Sequence, residues 1–472
     1  MSKLPDELVN FCSKKGNLLL IKGEAGTGKT ILSLELLRLF ANKVNGVYLS
    51  TRVSPQRLFG QFPYLSDIIK PEHVLDTETE YQPRKRSGEA FDIFDLRLRE
   101  APSLIDHLFG LASGIENPFI LLDSWDAIIR KLTPNDKAKM EDWLEVLITN
   151  TNATLLLVSE EPQETRMDFL VDGVVTLSKS RIEDRVIREI TINKLRGGEI
   201  GQDKYLFTLN GGRFQHFKPW QWERIPVEKR KFPPKNKKNN DDTVPTCVQG
   251  LDELLNGGWR KGSFNILELA EGVGDNHFSL TVPAAMSFLN SGGSFKCFAG
   301  GWEIAYINNS LPMKLFDAVK DRLLFIQATK TPIEDGTQNV FEIDTSNLSK
   351  IDGLLEKSYQ EVAKVEANSK DGVVFGFIDT DVIEREFGPE TAMDVLSIES
   401  DFVKSSKSID IAILKEGQRL SKDIVHLAST HWKLARKHGV LIFYGVVPDT
   451  RIYVIQTGFE KGYPETNISS IV

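Results

Sequence analysis

The sequence predicts an α/β protein of two tandem domains, each built on a mainly parallel central sheet. Three observations predict it. At 472 residues the chain is longer than the roughly 250–300 residues at which single cores stop growing. Its two halves open with the same order of elements, and between them lies a stretch too poor in apolar residues to order itself by burial.

In the first half, Gly16 precedes a short, mainly apolar run over 18–21; in the second, Gly262 precedes a similar run over 264–269. Such runs suit parallel strands buried on both faces. Each is followed by a Gly-containing loop, an apolar-periodic helical stretch (31–40 and 278–289) and a further apolar run (47–49 and 295–298). That order is the β-loop-α-β unit of a parallel sheet with right-handed crossovers. Later buried strands are expected at 119–122 and 154–158 in the first half, and at 373–378 and 440–444 in the second. The interval 226–243 is dense in Pro, Lys and Asn, so the domains are expected at 1–225 and 244–472 with a basic linker between them.

Composition narrows the class. The chain is 41% hydrophobic and 26% charged and lacks the run of roughly 18 apolar residues that a membrane-spanning helix requires. Its first residues carry no secretory-type apolar stretch, so a cytoplasmic protein with no membrane partner is expected. A net charge of −8 gives no global field toward nucleic acid, and an anionic partner would have to meet a local basic patch. Cys12, Cys247 and Cys297 have no metal-site or disulfide spacing and read as buried thiols.

Gly23-Glu24-Ala25-Gly26-Thr27-Gly28-Lys29-Thr30 satisfies G-x-x-x-x-G-K-[ST] and sits between a strand and a helix. Glycines let such a backbone wrap a phosphate with its N–H groups inward, and the helix start adds its positive dipole end. The pattern predicts a site for a nucleoside triphosphate, ATP with Mg²⁺ above others. Lys29 would reach the β- and γ-phosphates and the Thr30 hydroxyl would bind Mg²⁺. Asp123 ends the apolar run 119–122 at the carboxyl edge of the sheet, where it would orient the metal. An Asp-Ser pair also suits a helix N-cap.

With the loop, Asp123-Ser124 and Lys194-Leu195-Arg196-Gly197 in view, the first half resembles the RecA-like ATPases of the KaiC type. Val248-Gln249-Gly250-Leu251-Asp252-Glu253-Leu254-Leu255-Asn256-Gly257-Gly258 resembles the segment that precedes the loop in that family, so the likeness spans nearly the whole chain. It implies two RecA/KaiC-like P-loop domains. A narrower likeness is to the archaeal gas-vesicle regulatory protein D (GvpD) family. It rests on Leu49-Ser50-Thr51-Arg52-Val53-Ser54-Pro55, on Arg84-Lys85-Arg86, and on Asn193-Lys194-Leu195-Arg196-Gly197 followed by Lys204-Tyr205-Leu206-Phe207-Thr208-Leu209.

Two departures from the KaiC pattern stand out. The paired glutamates that activate water in that family are replaced by Thr51-Arg52-Val53, which points to slow turnover or to binding without turnover. Glu160 is the first substitute to consider, with Asp126 and Glu161 as alternatives; each also reads as a solvated carboxylate. In the second half the aligned stretch is Leu269-Ala270-Glu271-Gly272-Val273-Gly274-Asp275-Asn276. A carboxylate in place of the lysine repels phosphate, so the second domain is degenerate and Asp379-Thr380 is structural.

The resemblance also implies that Lys194 and Arg196 reach the γ-phosphate held by a neighbouring subunit of a homo-oligomer, such as a hexameric ring. A surface β-bend with two solvated charges is the plain alternative. The alternating stretch 181–190 reads as a half-exposed strand, either solvated or facing an acidic partner or nucleic acid, although no nucleic-acid-binding motif is present. The function expected is a nucleotide-controlled regulator of a protein partner or of transcription. A DNA-processing RecA-like ATPase and a scaffold using ATP as a structural ligand are the competing classes.

Overall fold

A computed structural model describes residues 3–51, 53–76, 108–130, 132–221, 223, 225–235, 241–311, 313–329, 339–346 and 351–472. Arg52 and Arg84-Lys85-Arg86 lie outside the described residues, as do 236–240 of the expected linker. The chain forms two compact units, Met1–Lys218 together with Ile471–Val472, and Pro219–Ser470. Among the described residues no helix is long and apolar enough to cross a membrane.

The first unit contains β1 (Leu18–Lys22), β2 (Gly46–Ser50), β3 (Val74–Asp76), β4 (Phe119–Asp123), β5 (Thr154–Val158), β6 (Gly173–Ile182), β7 (Arg185–Leu195), β8 (Lys204–Thr208) and β9 (Gln215–His216). They form one sheet in the order β3-β2-β4-β5-β1-β6-β7-β8-β9. Pairing is parallel from β3 to β6 and antiparallel from β6 to β9. Successive side chains of a strand face opposite sides, and β1 divides accordingly. Leu19 and Ile21 pack in the core that contains Leu32, Leu36 and Leu37 of the helix Lys29–Phe40. Leu18 and Leu20 pack in the core that contains Met140, Leu144 and Leu147 of the helix Pro134–Thr151. Coverage on both faces is why β1, β4 and β5 are continuous apolar runs.

The second unit contains β10 (Thr243–Val244), β11 (Trp259–Arg260), β12 (Ser263–Leu269), β13 (Ser294–Phe298), β14 (Leu323–Thr329), β15 (Val340–Asp344), β16 (Val374–Asp379), β17 (Ile409–Lys415), β18 (Thr430–Lys437), β19 (Val440–Val447), β20 (Tyr453–Gly458) and β21 (Glu465–Ser470). Its large sheet runs β15-β14-β13-β16-β17-β12-β18-β19-β20-β21. From β14 to β19 this repeats the order β3-β2-β4-β5-β1-β6-β7 of the first sheet. The repeat is therefore one of topology, and both sheets are mainly parallel, as expected of tandem RecA/KaiC-like domains.

Two details differ from simple sequence patterning. The stretch 181–190 is not one strand: β6 ends at Ile182, Glu183 takes φ 52°, and the chain reverses into β7. Three consecutive charged residues, Glu183-Asp184-Arg185, interrupt the alternation at the turn. Within 226–243, an apolar-poor composition does not prevent packing. Lys231 N–H donates to the Gly462 carbonyl at 2.8 Å, the Pro233 and Pro234 carbonyls accept from Asn290 and Ser287, and Phe232 lies against the second unit's core. Cys12 and Cys297 are buried and Cys247 is half-buried, and burial pushes the Cys247 thiol up to about 11.

Candidate functional site

The loop 23–30 leaves the carboxyl end of β1 and turns into the helix Lys29–Phe40. Gly23, Gly26 and Gly28 take φ of 144°, 73° and 108°, a region unfavourable to side chains. At Gly23 backbone forbids a side chain as well, and at Gly28 a neighbouring side chain would have to shift. A Cβ on Gly23 would stand 2.2 Å from the Leu177 carbonyl oxygen, and one on Gly28 2.9 Å from the Leu209 side chain. The loop is a cradle that a Cβ would fill. It floors a cleft of about 450 Å³ also lined by Tyr48, Asp123, Glu160 and Leu209.

Lys29 is 7% exposed, and its ammonium donates to the carbonyls of Gly23 (2.7 Å) and Glu24 (2.8 Å). These bonds offset part of its desolvation and hold it against the cradle. The Thr30 hydroxyl donates to Asp123 Oδ2 at 2.7 Å, and the Tyr48 hydroxyl approaches the same oxygen at 3.5 Å. Burial, with the Asp123 carboxylate beside it, pushes the Tyr48 hydroxyl up, so it stays a donor. A hydroxyl and a carboxylate converging beside a phosphate-sized cradle is an oxygen donor set suited to Mg²⁺. The residues therefore fit a magnesium–nucleotide group.

Sheet order brings a second carboxylate to this edge. β5 lies between β4 and β1, so Glu160, two residues beyond β5, enters the cleft between Asp123 and the loop. Asp126 is committed otherwise, accepting from Ser159 Oγ at 3.1 Å and from the Glu160 backbone N–H. Glu161 is exposed and accepts from Gln163 N–H at 3.3 Å. At the end of β2, Thr51 N–H donates to the Asp123 carbonyl and its hydroxyl accepts from Ser124 N–H. Thr51 thus latches β2 to β4 and brings no carboxylate.

Residues 9–193 match the family described as GvpD gas vesicle protein, P-loop domain. Protein GvpD1 of Halobacterium salinarum is 24% identical, covering 99% of this chain and 96% of the relative. Protein GvpD2 of the same organism is 25% identical over 98% and 95%. The chain is a KaiC-like P-loop protein related to GvpD. Similarity to the circadian clock oscillator protein KaiC 1 of Synechocystis is weaker, 22% identity over 57% of this chain and 51% of that one.

In this GvpD-type unit the Lys194 ammonium donates to the carbonyls of Asp168 (3.0 Å), Phe169 (3.3 Å) and Val171 (2.6 Å), at the C-terminal end of the helix Arg166–Leu170. That is a cation at the negative end of a helix. Arg196 behaves differently. Its side chain is 63% exposed and meets Asp172 at 3.0 Å. The cleft lining includes neither residue, and sequence spacing alone does not distinguish the two.

The corresponding place in the second unit is filled by side chains. The chain after β12 forms a 3-10 turn, Gly274–His277, before the helix Phe278–Asn290. His277 is buried, with Nδ1 against the Gly274 carbonyl, and Asp275 accepts from Trp302 Nε1 at 3.1 Å. A cavity of about 20 Å³ remains beside His277, Glu303 and Asp379. Asp379 Oδ1 caps the helix Thr380–Phe387, while Oδ2 is ion-paired with Lys415 at 2.9 Å.

Proposed function

We propose that the first unit binds ATP with Mg²⁺ in the cleft over residues 23–30, turns it over slowly, and so acts as a nucleotide-controlled regulator of a protein partner. The observation that carries this reading is the 2.7 Å bond from Thr30 to Asp123 directly beside Lys29 and the glycine cradle. Bound triphosphate would take over the Lys29 ammonium from the Gly23 and Glu24 carbonyls and meet inward N–H groups of the loop. Mg²⁺ would supply charge neutralisation at the phosphates, held by Thr30 and Asp123. Glu160 is the carboxylate best situated to accept a proton from an attacking water. Arg196, exposed and weakly tied, is suited to serve a neighbour's site in a homo-oligomer.

The regulatory reading draws on the similarity to GvpD and KaiC. A second reading, ATP as a ligand without turnover, is favoured by Thr51, whose latch role leaves the end of β2 without a carboxylate.

Titrating the protein with ATP–Mg²⁺ by calorimetry, alongside Lys29→Ala, tests the first claim. Binding is expected for wild type and lost by at least about 100-fold in the variant, which forfeits the buried cation that the loop holds at the phosphates. Equal affinities would refute the site. Phosphate release measured under single turnover separates slow hydrolysis from binding alone.

A further inference from the structure

The β6–β7 hairpin carries two cations at one register position, and both lie against the phosphate loop. Lys179 on β6 is paired with Arg188 on β7. Arg188 donates from Nη1 to the carbonyls of Gly26 at 3.1 Å and Thr27 at 3.3 Å, and from Nε to the Val472 main-chain oxygen at 2.6 Å. The Lys179 ammonium is close enough that a Cβ on Gly26 would stand 3.2 Å from it. Among the described residues neither cation is paired with a side-chain carboxylate. Like charges directly opposite in a ladder are unfavourable, so their occurrence beside the loop needs a compensating anion or dipole. The loop carbonyls and the Val472 main-chain oxygen supply part of it.

The direction of these bonds matters. In a trans peptide the C=O and N–H point to opposite sides. Drawing the Thr27 carbonyl outward to the guanidinium turns the Gly28 N–H of the same peptide the other way, and Gly28 lines the cleft. The Gly26 carbonyl is held outward in the same manner, while Thr27 N–H closes on the Glu24 carbonyl at 3.3 Å and tightens the turn. Gly26 at φ 73° and Gly28 at φ 108° have the conformational freedom to flip these peptides. A fixed grip from outside removes that freedom.

We infer that Arg188 is a positioning residue of the nucleotide site, a clamp that holds the Gly26 and Thr27 carbonyls outward, fixing the turn closed by Thr27 N–H and setting the Gly28 N–H toward phosphate, with Lys179 adding positive charge at the loop's rim. The inference rests on the reading that this loop binds a nucleoside triphosphate. It removes Arg188 from the set of residues available to an outside partner.

The test compares wild type, Arg188→Ala and Arg188→Lys for calorimetric affinity toward ATP–Mg²⁺ and ADP–Mg²⁺ and for melting temperature without nucleotide. Arg188→Ala is expected to weaken both nucleotides alike, by about tenfold or more, because the clamp acts through backbone N–H groups that serve phosphates common to both. Arg188→Lys, which keeps one donor to the loop, is expected to fall between. The nucleotide-free melting temperature should stay within a few degrees of wild type. Unchanged affinity in Arg188→Ala overturns the clamp and leaves nucleotide binding standing. So does a loss confined to ATP, which would mean direct contact with the γ-phosphate. Should Arg188→Ala not fold, wild-type affinity in a folded Arg188→Lys overturns the clamp, and intermediate affinity supports it. Absence of binding by wild type itself overturns the underlying reading.

Discussion

The Lys415 ammonium lies 2.9 Å from the Asp379 carboxylate, at the strand end that corresponds by topology to Asp123 facing Thr30. One unit thus opposes its acidic strand end with a hydroxyl beside an open cleft, and the other with a resident cation. Lys415 also approaches Asp381 at 3.5 Å and Glu303 at 4.0 Å. The second unit supplies from its own chain the positive charge that a metal would otherwise bring.

From this follows a stoichiometry of one nucleotide per chain. Asp275→Ala should leave it at one, because removing a repulsive carboxylate does not open the space filled by His277 and Phe278. Lys415→Ala should lower stability by about 2–4 kcal/mol, leaving the buried Asp379 carboxylate without its ion partner, rather than create a second site. Calorimetric stoichiometry and chemical denaturation check both. Two nucleotides bound to either variant would show that the site is blocked by charge alone.

Thr30→Ala should separate metal from nucleotide. Affinity for ATP in the presence of a chelator is expected within about twofold of wild type, since Lys29 and the loop remain, while the gain on adding Mg²⁺ should largely vanish. A full Mg²⁺ effect in Thr30→Ala would remove the hydroxyl from the metal's ligand set.

Glu160→Gln should slow turnover by about 100-fold with ATP binding intact, in line with a general base. Asp126→Asn should slow it less, because Asp126 meets the Glu160 backbone and Ser159 and acts through their placement. Single-turnover phosphate release is the measurement. Equal rates for Glu160→Gln and wild type would exclude Glu160.

Lys194 and Arg196 should part company. Lys194→Ala should cost about 1.5–3 kcal/mol of stability, the scale of a charged hydrogen-bond group lost from backbone carbonyls. Arg196→Ala gives up an exposed pair worth about 0–1 kcal/mol, so its melting temperature should hold while turnover falls. Mixing Arg196→Ala with Lys29→Ala subunits should restore part of the activity if Arg196 acts across an interface. No recovery in verified mixed oligomers would leave it a surface charge.

The pair Lys22–Asp168 carries a pH dependence. Lys22 is 2% exposed at the end of β1 and meets Asp168 at 2.8 Å. Burial pushes the Asp168 carboxyl up, but hydrogen bonds from Lys22 and Thr165 outweigh it and hold the group below the ordinary carboxylate range. A carboxyl depressed in the folded state contributes stability that is complete above its ordinary pKa and lost as pH falls through the folded value. Asp168→Asn should therefore be less stable than wild type by about 3 kcal/mol at neutral pH, and the gap should close as pH falls below about 4. Denaturation curves at several pH values measure it. A gap independent of pH would mean that packing, not charge, accounts for the loss.

Local sequence was enough to read the loop at 23–30, Asp123 at its strand end, the repeated opening of each half and the missing lysine at Asp275. A phosphate loop is encoded in eight consecutive residues whose backbone freedom and side chains act together, and a buried parallel strand is encoded in a run of four or five. Long-range packing settled the rest. Of Asp126, Glu160 and Glu161, folding places Glu160 in the lining of the cleft, and the β6–β7 pairing carries Arg188 back to Gly26 across 162 positions of sequence. In the second unit, Lys296 sits inside an apolar run because Asp410, two strands away, reaches it at 3.0 Å over Gly376, where a Cβ would stand 2.1 Å from the Asp410 carboxylate. Periodicity reports which face of a strand is buried; which charge waits on the neighbouring strand depends on sheet order and register, and those are set by hydrogen bonds between segments far apart in the chain.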